Sequence, residues 1–478
     1  MRFAVIGAGM AGILAAAKLT EAGFDEVTVY EKRDRLGGTW ADNTYPGLTC
    51  DVPSHLYSYS FAPNPDWTHL YSPGEEIRRY FEDVAAARDV TRRIRFGDEV
   101  TSADFHDGRW TIRTAGGHVD DVDVVIAATG VLHHPRYPDI EGLDTFAGAR
   151  FHSARWDHGV ALDGRRVGVV GNGSTGVQIV AALADRVGHL DLFQRTAQWI
   201  LPVDNPAYGE DEIRRFHDDP ASLAELRTGL EDVFGILADA VIDADSEHVA
   251  RIAEMCLANL EGSVADPGLR ERLRPDHRAG CKRLVVSPTF YDAIQRPNAE
   301  LVTSPIERVE PGGVRTADGE LHELDVLVLA TGFAADAFLR PIAVTGRDGV
   351  TLEEAWAGRP FAYLSVSVPG FPNLFLLNGP NGPVGNFSLI EVAELQFAYV
   401  RQLIDLLASG QASEVSATRQ ATERFEAARV EATRSTIWVT GCRSWYLDDR
   451  GVPAVWPWEF QRFRRVMAAP DMDAYELR

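Results

Sequence analysis

Apolar and polar positions along this chain follow two periods in turn. Arg2–Ile6 is a short apolar run of the kind a buried parallel strand needs, and Ile13–Thr20 carries Ala and Leu at helical spacing. Gly23 closes that helix, and Val27–Tyr30 predicts the next strand. The order returns much later as a strand at Arg166–Val170, a helix at Val177–Ala184 and a strand at His189–Phe193. Two more buried strands echo each other, residues 123–130 and 325–332, and both close on Ala-Thr-Gly. Residues 204–275 differ in character. Leu223, Leu226, Leu230, Val233, Phe234 and Leu237 recur at helical spacing, as do Val249, Ile252, Ala253, Cys256 and Leu260, which predicts a helical insertion. A helix over about Glu391–Leu407, stopped by Gly410, precedes a tail rich in Trp and Pro. The fold class is α/β, with two Rossmann-like dinucleotide-binding domains. Residues 1–145 and 333–478 are expected to form the first domain. Residues 146–203 and 276–332 form the second, with 204–275 inserted into it.

Composition narrows the partners. The 478 residues include 47 basic and 70 acidic ones, a net charge of −23, with 45% hydrophobic and 24% charged. That is ordinary globular composition, and its acidity disfavours nucleic acid or an anionic membrane as a partner. No apolar run approaches the ~18 residues of a membrane span. The chain enters its first strand at once, so neither a leader nor an N-terminal extension is expected, and the location expected is cytoplasmic. Cys50, Cys256, Cys281 and Cys442 lie far apart with no Cys-x-x-Cys, which argues against a redox dithiol, a zinc ribbon or a secreted disulfide scaffold. They are expected to be reduced. His133-His134 lacks ligand spacing and reads as loop, so no metal is expected. The assembly expected is a monomer or a weak homo-oligomer.

The chemistry begins at the glycines. In Gly7-x-Gly9-x-x-Gly12 they permit a tight turn, let the backbone approach a pyrophosphate, and let the helix pack on its strand, with the helix N-terminus facing the anion. Glu31 ends the next strand, where a carboxylate accepts hydrogen bonds from a ribose. The second turn, Gly171-Asn-Gly173-Ser174-Thr175-Gly176, also joins a strand to a helix, but its following strand ends in Gln194-Arg195-Thr196. An arginine and a hydroxyl there suit a 2′-phosphate, which a carboxylate would repel. These differences assign FAD to the first turn and NADP(H) to the second, and hence hydride transfer between nicotinamide and flavin. Ser174 is no nucleophile elbow, because Asn172 stands where that motif needs glycine.

Three segments then resemble one family together. Phe146, Gly148, His152, Trp156 and Asp157 fit F-x-G-x-x-x-H-x-x-x-W-D, the fingerprint of type I Baeyer–Villiger monooxygenases, placed just before the second turn. Gly37-Gly38-Thr39-Trp40, leading through Tyr45-Pro46-Gly47 to Asp51, fits the second pattern of that family. Gly280-Cys281-Lys282-Arg283 resembles the segment carrying its active-site arginine. The resemblance spans nearly the whole chain, from Gly7 to the tail. It implies that NADPH reduces FAD, that oxygen adds to give a C4a-peroxyflavin, and that this attacks a ketone to yield an ester or lactone. A fixed guanidinium suits the anions involved, because it keeps its proton.

The resemblance thus makes Arg283 the catalytic cation and Asp51 its orienting partner. It adds Lys32, Gly38, Thr39, Trp40, Asp51, Tyr57, Val100, Thr129 and Arg283 to the cofactor-binding residues, and sets Lys282 near the 2′-phosphate with Arg195 and Thr196. His152 and Trp156 are expected to set the linker conformation rather than to handle protons. Trp445 falls in a loop that folds over nucleotide and substrate; the alternative is an anchor for the tail. For Arg283 and Asp51 the alternative is a purely structural ion pair. An N- or S-oxygenating flavin monooxygenase is the rival activity, while a disulfide reductase and a redox sensor find no motif in their favour. The ketone itself is not legible, since loops near 380–390 and 435–458 shape its pocket.

Overall fold

The computed structural model describes residues 1–385 and 387–478. Two five-stranded, wholly parallel sheets organise the chain. The first runs Leu374–Leu376, Val124–Ala127, Arg2–Ile6, Glu26–Glu31, Ile94–Phe96 across its width, and the second runs Ala149–His152, Val326–Leu329, Arg166–Val170, His189–Phe193, Ala299–Val302. In both, the strand ending in Ala-Thr-Gly lies beside the strand entering a glycine turn, with Phe3 opposite Val124 and Val167 opposite Val326. Helices cover both sheets, so their central strands are apolar on both faces and almost fully buried.

This adjacency explains the Ala-Thr-Gly echo. Gly7 has φ +103° and Gly171 φ +104°; a Cβ on either would lie 2.6 or 2.5 Å from the carbonyl oxygen of Ala128 or Ala330. A Cβ on Gly12 or Gly176 would overlap the carbonyl oxygen of Gly7 or Gly171. Each turn is therefore clamped between its own backbone and the alanine of the neighbouring strand, and only glycine fits. The helices begin at Met10 and Ser174, earlier than the apolar spacing predicts, because the last glycine of each motif already lies in the first helical turn.

Smaller sheets complete the frame, a four-stranded one built on Val100–His106 and a three-stranded meander over residues 306–323. The region 204–275 is helical as expected, with helices Glu210–Asp218, Pro220–Ala240, Glu247–Ser263 and Pro267–Leu273. Its periodicity overstated burial, since Val233 is 55% exposed. The late helix spans Leu389–Ala408 and packs on Met10–Glu21.

Candidate functional site

A cavity of about 580 Å³ runs between the carboxyl ends of the two sheets, which is where open α/β sheets bind ligands. From the first glycine motif it is lined by Gly7 and Gly9, with Glu31, Lys32, Gly38, Thr39, Trp40, Tyr57, Val100 and Thr129 along its wall. From the second motif come Gly173, Ser174 and Thr175; Asp51, Arg283 and Trp445 close the space between. Gly12, Gly171 and Gly176 support the turns from behind. Arg195, Thr196, Lys282 and all five fingerprint residues stand outside the lining.

The first turn fits an adenine dinucleotide. Glu31 is buried, accepting from the N–H of Ala8 and of Arg33 at 2.8 Å each, so its carboxylate is already aimed along the turn. Burial raises its pKa, and those two N–H groups oppose the rise. Trp40 donates from Nε1 to the Tyr57 hydroxyl at 3.1 Å, with the rings edge-on at 5.7 Å, which holds two aromatic walls at a fixed angle. The second turn has no carboxylate at the matching strand end, where Gln194, Arg195 and Thr196 stand. Burial lowers the pKa of Lys282, the charge of Asp276 raises it, and the charge of Arg195 lowers it. Asn172 donates from Nδ2 to Gln194 Oε1 at 2.8 Å and to the Thr196 carbonyl at 2.9 Å, tying the turn to the strand end that carries Arg195.

The two units meet through Tyr45-Pro46-Gly47. Tyr45 donates to Gln178 Oε1 at 2.9 Å, and Gln178 returns a bond to the Thr49 carbonyl at 3.1 Å. Gly47, at φ +81°, presses on the second helix so closely that a Cβ would lie 2.7 Å from the Gln178 carbonyl oxygen. The fingerprint segment reinforces the junction. His152 is fully buried, donating from Nε2 to the Gly332 carbonyl at 3.1 Å and accepting from Ala154 N–H at Nδ1, with its pKa lowered to about 4 chiefly by burial. Arg155 reaches Asp42, which also pairs with Arg33. Trp156 packs edge-on against Phe151.

Arg283 and Asp51, 232 positions apart, form a bidentate pair on the cavity wall. Nε and Nη2 donate to the two carboxylate oxygens at 2.8 and 2.6 Å, and Nη1 donates to the Gly385 carbonyl. Burial works against the guanidinium charge, but the charge and hydrogen bonds of Asp51 outweigh it and raise the pKa above its usual value. The side chains are 31% and 23% exposed, so water and small molecules reach the pair.

Four features escaped the linear reading. His133 and His134 do lie in a loop, but they line the cavity and hydrogen-bond the Phe338 and Arg340 carbonyls. Tyr446 is buried against Gly385 and its phenol neighbours Arg283. Gly385 has φ +95°, and no Cβ would fit beside that phenol. The expectation of four reduced cysteines is corrected: Cys281 and Cys442 form a disulfide with Cα atoms 6.2 Å apart, joining the Arg283 segment to the Trp445 loop, while Cys50 and Cys256 are free. Spacing hid this pair because 161 positions separate its members. Among the described residues, no helix is long and apolar enough to cross a membrane.

Known proteins match this geometry. Residues 5–73 match the NAD(P)-binding Rossmann-like domain family. An uncharacterized monooxygenase of Mycobacterium tuberculosis is 48% identical over 99% of this chain and 96% of its own length. A Baeyer–Villiger monooxygenase of Streptomyces coelicolor is 40% identical over all of this chain and 92% of its own. The crystal structure of cyclohexanone monooxygenase from Rhodococcus bound to NADP+ superposes with a TM-score of 0.90 at 32% identity, covering 100% of this chain and 99% of that one. With both glycine turns and both family patterns in place, the chain belongs to the type I Baeyer–Villiger monooxygenases, FAD- and NADPH-dependent flavoproteins that insert one atom of O2 beside a ketone carbonyl.

Proposed function

We propose that Arg283 and Asp51 are the residues that make this chain an oxygen-inserting enzyme rather than a plain flavin reductase. The observation that carries this is the bidentate pair on the wall of the cavity that both glycine turns enter. FAD, held by the first turn and reduced by NADPH, supplies the activated oxygen for insertion. Arg283 supplies a permanent positive charge to oxygen atoms that become negative as the ester forms, and a cation fixed in advance needs no reorganisation at that moment. Asp51 fixes the plane of the fork. Gly385, through its carbonyl, orients the third N–H. Arg195, Thr196 and Lys282 hold the 2′-phosphate of NADPH, and Trp445, 46% exposed at the cavity edge, covers bound nucleotide and ketone. The FAD unit comprises 1–145 and 333–478 and the NADP unit 146–203 and 276–332, with 204–275 between.

The substrate is a ketone, with linear, cyclic and aryl ketones all open, and the protein works in the cytoplasm as a monomer or weak homo-oligomer. An N- or S-oxygenating activity is the lesser reading, because it makes no use of the Arg283–Asp51 pair. The test is a ketone panel that includes cyclohexanone, run with NADPH under 18O2 and followed by product mass spectrometry. One labelled oxygen in an ester or lactone is the expected result. Ketone returned unchanged or only as alcohol overturns the reading.

A further inference from the structure

Remote from the cavity, the second sheet holds a cluster that the oxygen chemistry does not use. Alternation along strand His189–Phe193 puts His189 and Asp191 on one face, and the parallel register sets Glu300 of the edge strand directly opposite Asp191. His189 Nε2 lies 2.9 Å from Asp191 Oδ1, and donor atoms of His189, Asp191 and Glu300 all lie within 4.8 Å of one another. Behind them, His322 of the meander places Nδ1 3.8 Å from the other oxygen, Asp191 Oδ2. Asp191 is 2% exposed and His322 5%, whereas His189 is 39% exposed and Glu300 lies at the surface. His189 pairs in register with Arg166, the first residue of the strand whose far end leads to Gly171, so the cluster sits at the opposite end of the sheet from the nucleotide turn.

We propose that His189, Asp191 and Glu300 bind a divalent transition-metal ion, Zn2+ by donor chemistry. Two carboxylates and a neutral imidazole balance a 2+ charge, which solves the problem of an anion buried under a sheet face. One nitrogen with two oxygens suits Zn2+ better than Mg2+, which takes oxygen alone. Donors on a tetrahedral Zn2+ at about 2.0–2.2 Å stand roughly 3.4 Å apart, so the exposed Glu300 side chain needs only a small swing to close the set. Solvent reaches the site past His189 and supplies the fourth ligand. His322 Nδ1, at 3.8 Å, lies beyond hydrogen-bond distance of Asp191 Oδ2, and its Nε2 faces Thr316 Oγ1 at 3.4 Å, so it stands behind the site without holding the carboxylate. The ion clips the edge strand Ala299–Val302 to its neighbour. It is structural and takes no part in oxygen insertion.

The FAD-loaded protein, dialysed against EDTA and then buffer, is titrated calorimetrically with ZnCl2 and separately with MgCl2. The expected result is one Zn2+ per chain, Zn2+-dependent protection against thermal unfolding, and no Mg2+ heat. His189→Gln and Glu300→Gln, changed at accessible side chains, lose Zn2+ binding while NADPH oxidation stays at the wild-type rate. Absence of Zn2+ binding, equal binding in the two ligand variants, or Mg2+ binding as tight as Zn2+ overturns the proposal.

Discussion

Arg283→Ala separates oxygen insertion from flavin reduction, and the structure sets the size of the effect. A guanidinium has five N–H donors. Three are engaged, two by Asp51 and one by Gly385, so two N–H groups remain, with the Tyr446 phenol beside the guanidinium. Removing a single preorganised donor of this kind lowers turnover by about 10²–10³-fold, or ~2.7–4 kcal/mol. Arg283→Ala removes both donors and the charge, so ester formation should fall by at least that factor. Stability should fall by less. An exposed pair contributes about 0–1 kcal/mol and breaking a buried one costs about 3–5, and this pair, 31% and 23% exposed, lies between them. FAD should stay bound, because Gly7, Gly9 and Glu31 make its site without Arg283. Arg283→Lys restores the charge without the fork, so it should recover little, as an ammonium cannot satisfy both oxygens of Asp51 and still face the cavity. The assay measures ester by mass spectrometry beside NADPH oxidation and hydrogen peroxide release. NADPH should still be consumed, with its electrons leaving as peroxide. Near wild-type ester per NADPH in Arg283→Ala would refute the role.

Arg195→Ala should weaken NADPH by about 10- to 150-fold, the loss of one charge-assisted hydrogen bond, and leave NADH unchanged; steady-state KM values for both coenzymes check it, and equal losses count against the 2′-phosphate assignment. Gly47→Ala combines a left-handed backbone with a clash against the Gln178 carbonyl, about 2–5 kcal/mol together, so Tm should drop and NADPH bind more weakly while FAD is retained. Dithiothreitol should lower the Tm of wild-type protein, because the Cys281–Cys442 bridge closes a loop of 161 positions worth about 4–5 kcal/mol in chain entropy, and should leave Cys442→Ser unaffected. His55 and His152 are buried with pKa values lowered to about 4, and His133 to about 3, all chiefly by desolvation. The unfolded chain binds protons at these sites first, near pH 6.5, so stability is complete above that pH. It should fall as pH drops towards 4, by up to ~1.4 kcal/mol per pH unit for each histidine. Thermal unfolding across pH 4–8 measures this, and a flat profile would contradict it.

The parts of the fold that were legible in advance are those whose cause is local. A glycine turn declares itself because its three glycines, its apolar strand and its Ala-rich helix all lie between Arg2 and Glu21, and the steric clamp at Gly12 involves Gly7 of the same motif. The other half of that clamp, the Ala128 carbonyl on Gly7, lay in plain sight as the repeated Ala-Thr-Gly, yet it acquires meaning only once strand Val124–Ala127 is known to lie beside Arg2–Ile6. The site is less legible for the same reason. Arg283 stood out because a family pattern surrounds it, but its bonds run to Asp51, 232 positions away, and to Gly385, 102 positions away, and no window along the chain contains them. Cys281 with Cys442, Tyr45 with Gln178, and Tyr446 with Gly385 belong to this class. Each joins segments that lie far apart along the chain and meet only in the folded structure. Helical periodicity misled for the opposite reason: it reports a face, and Val233 shows that a face with apolar residues is not always covered. The second sheet shows the limit of motif reading most sharply. His189, Asp191 and Glu300 have no metal-ligand spacing in sequence, because parallel register, not spacing, sets Glu300 beside Asp191.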